Sequence, residues 1–310
     1  MPTAEFNQRA LILFPGALGD FLCALPSVLA LQRAHREVLV LANPGPLELI
    51  EYGPFLTASM QRREVADLFA AGEPSDATRK LFGGFAVTHS WTGSNHPGFA
   101  ARLQSVTGGR VHLHEFRGMA SGEHVVDYYA RCVGLIPARA QVWTTPADDE
   151  WAALWCRQYF GSVESFVLIH PGSGAERKNW EGFAMVVEHL RASGASVAVV
   201  LGPAESERTL PSRNVATVRD ANLRQVAALL RRAALYVGND SGVSHLAAAV
   251  GTRSLVLFGA TDALRWAPMG ATIIEAVDSC PQCGPDRLCT HRIPVERVLD
   301  AIERLTTARW

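Results

Sequence analysis

Residues 235–258 leave the backbone little choice of fold. Leu235-Tyr236-Val237 is a short apolar run, broken by Gly238-Asn239-Asp240-Ser241-Gly242. Val243, Leu246, Ala247 and Val250 then recur at helical spacing, and Ser254 to Phe258 is a second apolar run. Two continuous apolar strands joined by a helix read as a parallel βαβ unit with both sheet faces covered. In such a unit the turn that follows a strand and opens a helix lies where α/β proteins bind ligands. The free N–H groups and positive dipole end of the helix suit a phosphate there. An ordinary turn capped by Asp240 or Ser241 is the plainer reading. It leaves Asp240, Ser241 and His245 together on one side of the helix start without a reason.

The same alternation runs through the chain. In the first half Leu11–Phe14 reads as a strand, Asp20–Ala34 as a helix, Val38–Ala42 as the next strand and Phe85–Thr88 as a later one. Helices are expected over Ser75–Phe82, Pro97–Val106 and His124–Val133. Residues 135–149 lose periodicity and carry two prolines, which marks a linker. The pattern restarts with a helix over 149–160, strand Phe166–His170, helix Gly182–Ser193 and strand Ser196–Leu201. Strand Val215–Val218 and helix Leu223–Arg232 precede the motif above, and a helix over Pro294–Ala308 closes the series. This is an α/β chain of two doubly wound domains, residues 1–146 and 147–310, facing a cleft.

Composition removes several function classes. The 29 basic and 30 acidic side chains balance, so no electrostatic pull toward nucleic acid is visible. The first ten residues have no apolar segment of signal-peptide type, and no run reaches the roughly 18–20 apolar residues of a membrane span. A cytoplasmic protein is expected, with any membrane contact peripheral. Six cysteines in 310 residues do not make a disulfide scaffold. Cys23, Cys132 and Cys156 sit in apolar helical patterns and read as core.

Chemistry collects in the loops that follow strands. After Leu11–Phe14 comes Pro15-Gly16-Ala17-Leu18-Gly19-Asp20, where Asp20 either caps the helix or points into the cleft as a general base. After Phe166–His170 comes Pro171-Gly172-Ser173-Gly174-Ala175-Glu176-Arg177-Lys178. It lacks the Walker spacing. Ser173, Gly174 and Lys178 still offer the backbone amides and the cation that a departing diphosphate needs, unless the loop is merely a solvated basic one. Trp180 reads as packed beneath the following helix. Glu205, in Gly202-Pro203-Ala204-Glu205, sits where a ribose diol is bound or where a helix begins. Thr261, in Gly259-Ala260-Thr261-Asp262, offers a further hydroxyl.

Taken in order, these segments resemble glycosyltransferase family 9, the ADP-heptose:lipopolysaccharide heptosyltransferases. The matching stretches are A-L-G-D-x-x-x-x-L-P at Ala17–Pro26, H-P-G-S-G-A-E-R-K-N-W at His170–Trp180 and L-G-P-A-E at Leu201–Glu205. They continue with N-D-S-G-V-S-H-L-A-A-A-V-G-T at Asn239–Thr252 and L-F-G-A-T-D at Leu257–Asp262. The resemblance implies a GT-B architecture of two Rossmann-like domains, acceptor on the first and nucleotide sugar on the second. It implies an inverting transfer without a metal, probed by substrates of the class ADP-heptose and a saccharide or lipid-linked saccharide acceptor. Carried over residue by residue, Asp20 is the base, and Lys178 neutralises the diphosphate. Asp240, Ser241, Gly242 and His245 hold the phosphates and sugar, and Glu205 the ribose. A base on one domain and donor anchors on the other imply domain closure. At Phe14-Pro15-Gly16 the chain departs from the arginine and serine common before A-L-G-D, and it lacks a strongly basic surface for an anionic acceptor; Arg62 and Arg63 read as a solvated face.

Three alternatives stand beside transfer. A nucleotide-sugar epimerase of the same architecture and a non-catalytic nucleotide-sugar binder keep the donor residues. A nicotinamide oxidoreductase requires G-x-G-x-x-G after a first strand, which neither Leu11–Phe14 nor Phe166–His170 precedes. Cys280, Cys283, Cys289 and His291 supply three thiols and an imidazole within twelve residues, the donor types zinc prefers. Cys289 and His291 are only two apart, which crowds a tetrahedral site. Reduced thiols or one local disulfide are the competing reading, and no cofactor is expected to take part in the transfer.

Overall fold

In the computed structural model, residues 8–161, 165–202, 215–280 and 284–307 are described. The chain divides into two units, Met1–Trp143 and Thr144–Trp310. Each is a parallel sheet with helices, built from the βαβ repeats that the apolar runs require.

Unit 1 holds β1 (Arg9–Leu13), β2 (Glu37–Ala42), β3 (Leu56–Ser59), β4 (Val87–Ser90) and β5 (Arg110–Leu113), in the order β3-β2-β1-β4-β5. All four pairings are parallel, with Leu11 facing Leu39 on one side of β1 and Thr88 on the other. Its helices are α1 (Leu18–Ala34), α2 (Pro44–Glu48), α3 (Arg63–Asp67), α4 (Asp76–Phe82), α5 (Phe99–Thr107) and α6 (Val125–Val133). Every residue of α1 from Phe21 to Leu31 is buried, so this helix is core on all sides and has no polar stripe to read. It contains Pro26, whose carbonyl accepts a hydrogen bond from Ala138 N at 3.0 Å. Cys23 is buried there, whereas Cys132 and Cys156 are only half-buried, a correction to their reading as core.

Unit 2 begins with α7 (Pro146–Phe160), three residues earlier than periodicity predicts. Thr145 caps the helix, accepting from Asp148 N while the Asp148 carboxylate accepts from Thr145 N, and Pro146 occupies the first turn. That capping box sets the start, and it has no apolar signature. The hand-over between units is equally local. Trp143 N donates to Leu49 O in unit 1, whereas the Thr144 hydroxyl accepts from Arg231 in unit 2.

The unit continues with β6 (Val167–His170), α8 (Phe183–Ala192), β7 (Val197–Val200), β8 (Ala216–Val218), α9 (Leu223–Arg232), β9 (Leu235–Asn239), α10 (Gly242–Val250) and β10 (Ser254–Phe258). Then come α11 (Ala263–Trp266), β11 (Thr272–Glu275), the hairpin β12 (Ser279–Cys280) with β13 (Gly284–Leu288), and α12 (Val295–Thr307). The main sheet is parallel in the order β11-β10-β9-β6-β7-β8. Its core joins Val167, Ile169, Val237 and Leu257 of the strands to Phe183, Val187 and Trp180, and to Val298 and Ile302 of α12.

Both strand orders reverse at one place. In unit 1 the chain leaves β1 toward β2 and β3, then returns to β4 on the other side; in unit 2 it leaves β6 toward β7 and β8, then returns to β9. Loops on either side of such a reversal diverge and leave a crevice at the carboxyl ends of the strands. The loops after β1 and β6 therefore border the crevice of their own unit.

Candidate active site

In unit 1 the reversal places Asp20 in the first turn of α1. The N-terminal cap is Ala17, which makes no side-chain cap, so the turn is held by other means. Asn43, at the end of β2, donates from Nδ2 to Pro15 O at 2.8 Å and to Gly16 O at 3.1 Å. Gly16 cannot carry a side chain: a Cβ there would lie 2.4 Å from the Phe14 ring and 2.8 Å from Asp20 Cβ. Beneath the loop Phe14 is fully buried and meets Phe21, Trp91, Phe116 and Tyr129 edge to face, with centroids 5.4 to 5.9 Å apart. Phe14, one of the positions that depart from the resembled family's pattern, is thus an aromatic floor for the Asp20 turn.

Asp20 is 11% exposed, and its Oδ1 accepts from the outward-lying Arg117 at 3.5 Å. The Tyr129 hydroxyl is buried and makes no hydrogen bond among the described residues. Burial, and then the charge of Asp20, push its pKa up. Sequence reasoning missed the neighbouring imidazoles. His89 on β4 stacks on His112 of β5 and on His114 just after that strand, with centroids 5.0 and 5.3 Å away. His89 Nδ1 lies 3.1 Å from His114 Nε2. Burial, then the charge of His114, brings the His89 pKa down to about 3; burial, then His112, brings His114 to about 4. The H-x-H alternation at 112 and 114 was the available signal.

In unit 2 three loops converge on one carboxylate. Lys178, at the end of a 3-10 turn after β6, places Nζ 2.6 Å from Asp240 Oδ2. Thr261, in the loop after β10, donates to the same oxygen at 2.6 Å. Asp240 follows β9, its side chain 8% exposed against 22% for Lys178, and its amide donates to Leu257 O. Ser241 caps α10 by accepting from Ser244 N at 3.3 Å, so the capping role belongs to Ser241 and the ion pair to Asp240. Gly242 opens α10, and His245 lies buried in its first turn. Ser244 is itself fixed between Asn239 O at 2.5 Å and Tyr236 OH at 3.0 Å.

The Lys178 loop is braced from behind. Asn239 is fully buried; its Nδ2 donates to Pro171 O at 2.9 Å and its Oδ1 accepts from Trp180 N at 3.2 Å. Ser173 bridges Ala175 O at 2.6 Å and Asn179 Oδ1 at 2.9 Å, so its hydroxyl shapes the loop, while Gly174 borders open space. Trp180 is buried as expected, and its Nε1 donates to Ile293 O at 3.0 Å. Thr290 donates to Asn179 O at 3.2 Å, and Gly259 passes so close that a Cβ would stand 2.4 Å from Thr290 N. Asn239 and the 290–293 segment are supports that sequence reasoning did not single out. A buried asparagine at a strand end was the only hint.

Glu205 and Cys283 lie outside the described residues, and Cys280 is described through its backbone in β12 alone. Cys289 is buried, and His291 Nε2 lies 3.7 Å from Glu181 Oε1. Among the described residues no group of three or more His, Cys, Asp or Glu is arranged to hold a metal ion. No helix among them is long and apolar enough to cross a membrane.

A family model for glycosyltransferase family 9 (heptosyltransferase) matches residues 139–293, half of the chain. Lipopolysaccharide heptosyltransferase 3 of Escherichia coli (strain K12) is 30% identical over 180 residues, which are 51% of this chain and 52% of that protein. The chain thus spans about half the length of the curated relative it matches. Among solved structures, a family 9 glycosyltransferase from Veillonella parvula superposes with a TM-score of 0.80 at 17% identity, covering 97% of this chain and 98% of that one. The E. coli heptosyltransferase WaaC, solved with ADP, gives 0.66 at 20% identity over 96% of this chain and 100% of its own. At these identities the two structures speak for the fold: two Rossmann-like units of the kind found in family 9.

Proposed function

The chain belongs to glycosyltransferase family 9, and from that premise we propose that it moves a heptosyl group from ADP-heptose to a saccharide hydroxyl, in lipopolysaccharide core synthesis. The observation that carries the reading is the meeting of Lys178, Asp240 and Thr261 beside the N-terminus of α10, at the strand reversal of unit 2. A cation and a helix N-terminus at one crevice suit a diphosphate. A carboxylate there suits the hydroxyls of a sugar.

In this mechanism Asp20 takes the proton of the acceptor hydroxyl. The freed oxygen attacks the anomeric carbon from the face opposite the diphosphate, and the bond from that carbon to the phosphate oxygen breaks. ADP leaves with the bonding electrons, and the configuration inverts. Charge grows on the departing diphosphate, where the Lys178 ammonium and the amides at Gly242 stabilise it without a metal ion. Gly174 and His245 complete the donor contacts, with Glu205 on the ribose, while Ser173 holds the loop in shape from within. The acceptor is a saccharide or a lipid-linked saccharide, and a lipid-linked one would bring the protein to the inner membrane peripherally.

Calorimetric titration with ADP, UDP, GDP and NAD in metal-free buffer, followed by transfer from ADP-heptose read by proton NMR at the new anomeric centre, tests the reading. Selective ADP binding and an inverted product are the expected results. Selective UDP or GDP binding overturns the heptose donor, binding of NAD alone overturns glycosyl transfer, and a retained configuration overturns the single displacement.

A further inference from the structure

The Asp240 carboxylate is held asymmetrically. Lys178 Nζ and Thr261 Oγ1 both lie 2.6 Å from Oδ2, whereas Oδ1 takes no hydrogen bond among the described residues. Lysine is a compact cation on a flexible stem, and its pull on a carboxylate fixes a distance better than a plane. The terminal torsion of aspartate is broad and two-fold, so one ammonium contact leaves either oxygen able to face it. The Thr261 hydroxyl arrives from a different loop, and a β-branched side chain has few rotamers to lose. Its loop is fixed in turn, because Gly259 lies tight against the Thr290 backbone.

We propose that Thr261 is a positioning residue: its hydroxyl commits Asp240 Oδ2 to Lys178 and leaves Oδ1 to accept a hydroxyl of the transferred sugar. This rests on unit 2 being the donor site, and it deepens that reading by separating recognition of the sugar from recognition of the nucleotide. Thr261 acts through Asp240 and does not touch the diphosphate. Loss of its hydroxyl therefore damages the sugar contact while the nucleotide contacts remain.

The test compares Thr261→Val, which keeps the shape, with Thr261→Ser, which keeps the donor. For Thr261→Val we expect ADP affinity within about twofold of the parent and ADP-heptose affinity about tenfold weaker, the loss of one charge-assisted hydrogen bond. Thr261→Ser should recover to within about threefold. Equal loss of ADP and ADP-heptose binding overturns the proposal, since Thr261 would then hold the nucleotide; unchanged affinities, or no recovery in Thr261→Ser, also overturn it. A second arm needs no ligand. By urea unfolding, Thr261→Val should lower the folding equilibrium constant about tenfold in the parent and leave it unchanged in an Asp240→Ala background. Equal effects in both backgrounds would show that Thr261 does not act through Asp240. If the parent binds no nucleotide sugar, the donor reading fails by itself, and this cycle still decides the Thr261–Asp240 link.

Discussion

Acidification should weaken unit 1 well before its carboxylates titrate, and the stacked histidines give the size of the effect. An imidazole in an unfolded chain titrates near 6.5, roughly the reference value, whereas His89 and His114 in the fold titrate at about 3 and about 4. Both folded values are depressed. Between them and 6.5 the unfolded chain binds protons that the native one refuses, so stability is full above pH 6.5 and declines as pH falls, levelling off below about 3. One proton costs about 1.4 kcal/mol per pH unit. At pH 4.5 His89 alone therefore removes about 3 kcal/mol. With partly buried His114 the total is about 3–5 kcal/mol, a large share of the 5–15 kcal/mol typical of a domain.

The cause is geometric as well as dielectric. His89 Nδ1 and His114 Nε2, 3.1 Å apart, share one proton, and a second would set two N–H groups against each other. His112 and His35 add positive charge toward His89 when protonated. Carboxylates add to the effect only at its acid end: the Asp67 pKa is lowered first by the Thr78 hydroxyl and that of Glu123 first by Arg131, so both withdraw stability as pH falls from the ordinary carboxylate value downward. The assay is urea unfolding at steps from pH 7.0 to 4.5, with hydrogen exchange over residues 87–91 as a local readout. His89→Asn, which keeps a polar atom at the Nδ1 position, should flatten the acid slope by about one proton per molecule. An equal slope in parent and variant, or none in the parent, would refute the argument.

Other outcomes follow from the site. Asp20→Asn should lower turnover by about 10²- to 10⁴-fold with ADP affinity within about twofold, as steady-state kinetics and calorimetry would record; a comparable loss of ADP affinity counts against the base assignment. Lys178→Ala strands the Asp240 charge and should cost unit 2 about 1–3 kcal/mol in urea unfolding, below the range of fully buried pairs because Lys178 is part-exposed. Part of that loss should return in the Lys178→Ala/Asp240→Ala double variant. Asn239→Ala leaves Trp180 N and Pro171 O without their partner and should cost about 2–3 kcal/mol. Exchange at 171–180 should rise with it, and protection equal to the parent would sink the bracing role.

The interior of each sheet was legible because buried parallel strands are unbroken apolar runs, as at Leu11–Leu13 and Ser254–Phe258. Of the strands missed, β3, β5 and β11 lie at edges of the two main sheets, where Leu56 and Arg110 are exposed and polar residues interrupt the run, and β12 and β13 pair only with each other. Helices α2, α3 and α11 have five residues or fewer, too short to show a period. Asp20, Lys178, Asp240 and Thr261 stood out as polar groups in glycine turns after strands. That Lys178 and Thr261 share one oxygen of Asp240 did not, since such contacts join residues far apart in the chain. Asn239 and the histidine stack were hidden for the same reason: their partners are set by tertiary packing.

The 289–293 segment also has a bearing on evolution and engineering. Its backbone receives the Trp180 indole N–H, its Thr290 hydroxyl secures Asn179, and its amide edge admits only glycine at 259. A stretch remote in sequence thus acts as the mould in which the Lys178 turn and the Thr261 loop are cast. Chimaeras that exchange donor halves between relatives must carry this stretch with the turn it shapes. A crossover placed between Thr261 and Ile293 would pair a lysine turn from one parent with the mould of another. Natural recombination within the family meets the same constraint: the side chains that reach across, Trp180 and Thr290, each grip the other segment by a backbone carbonyl, so those two residues are the ones an exchange must keep.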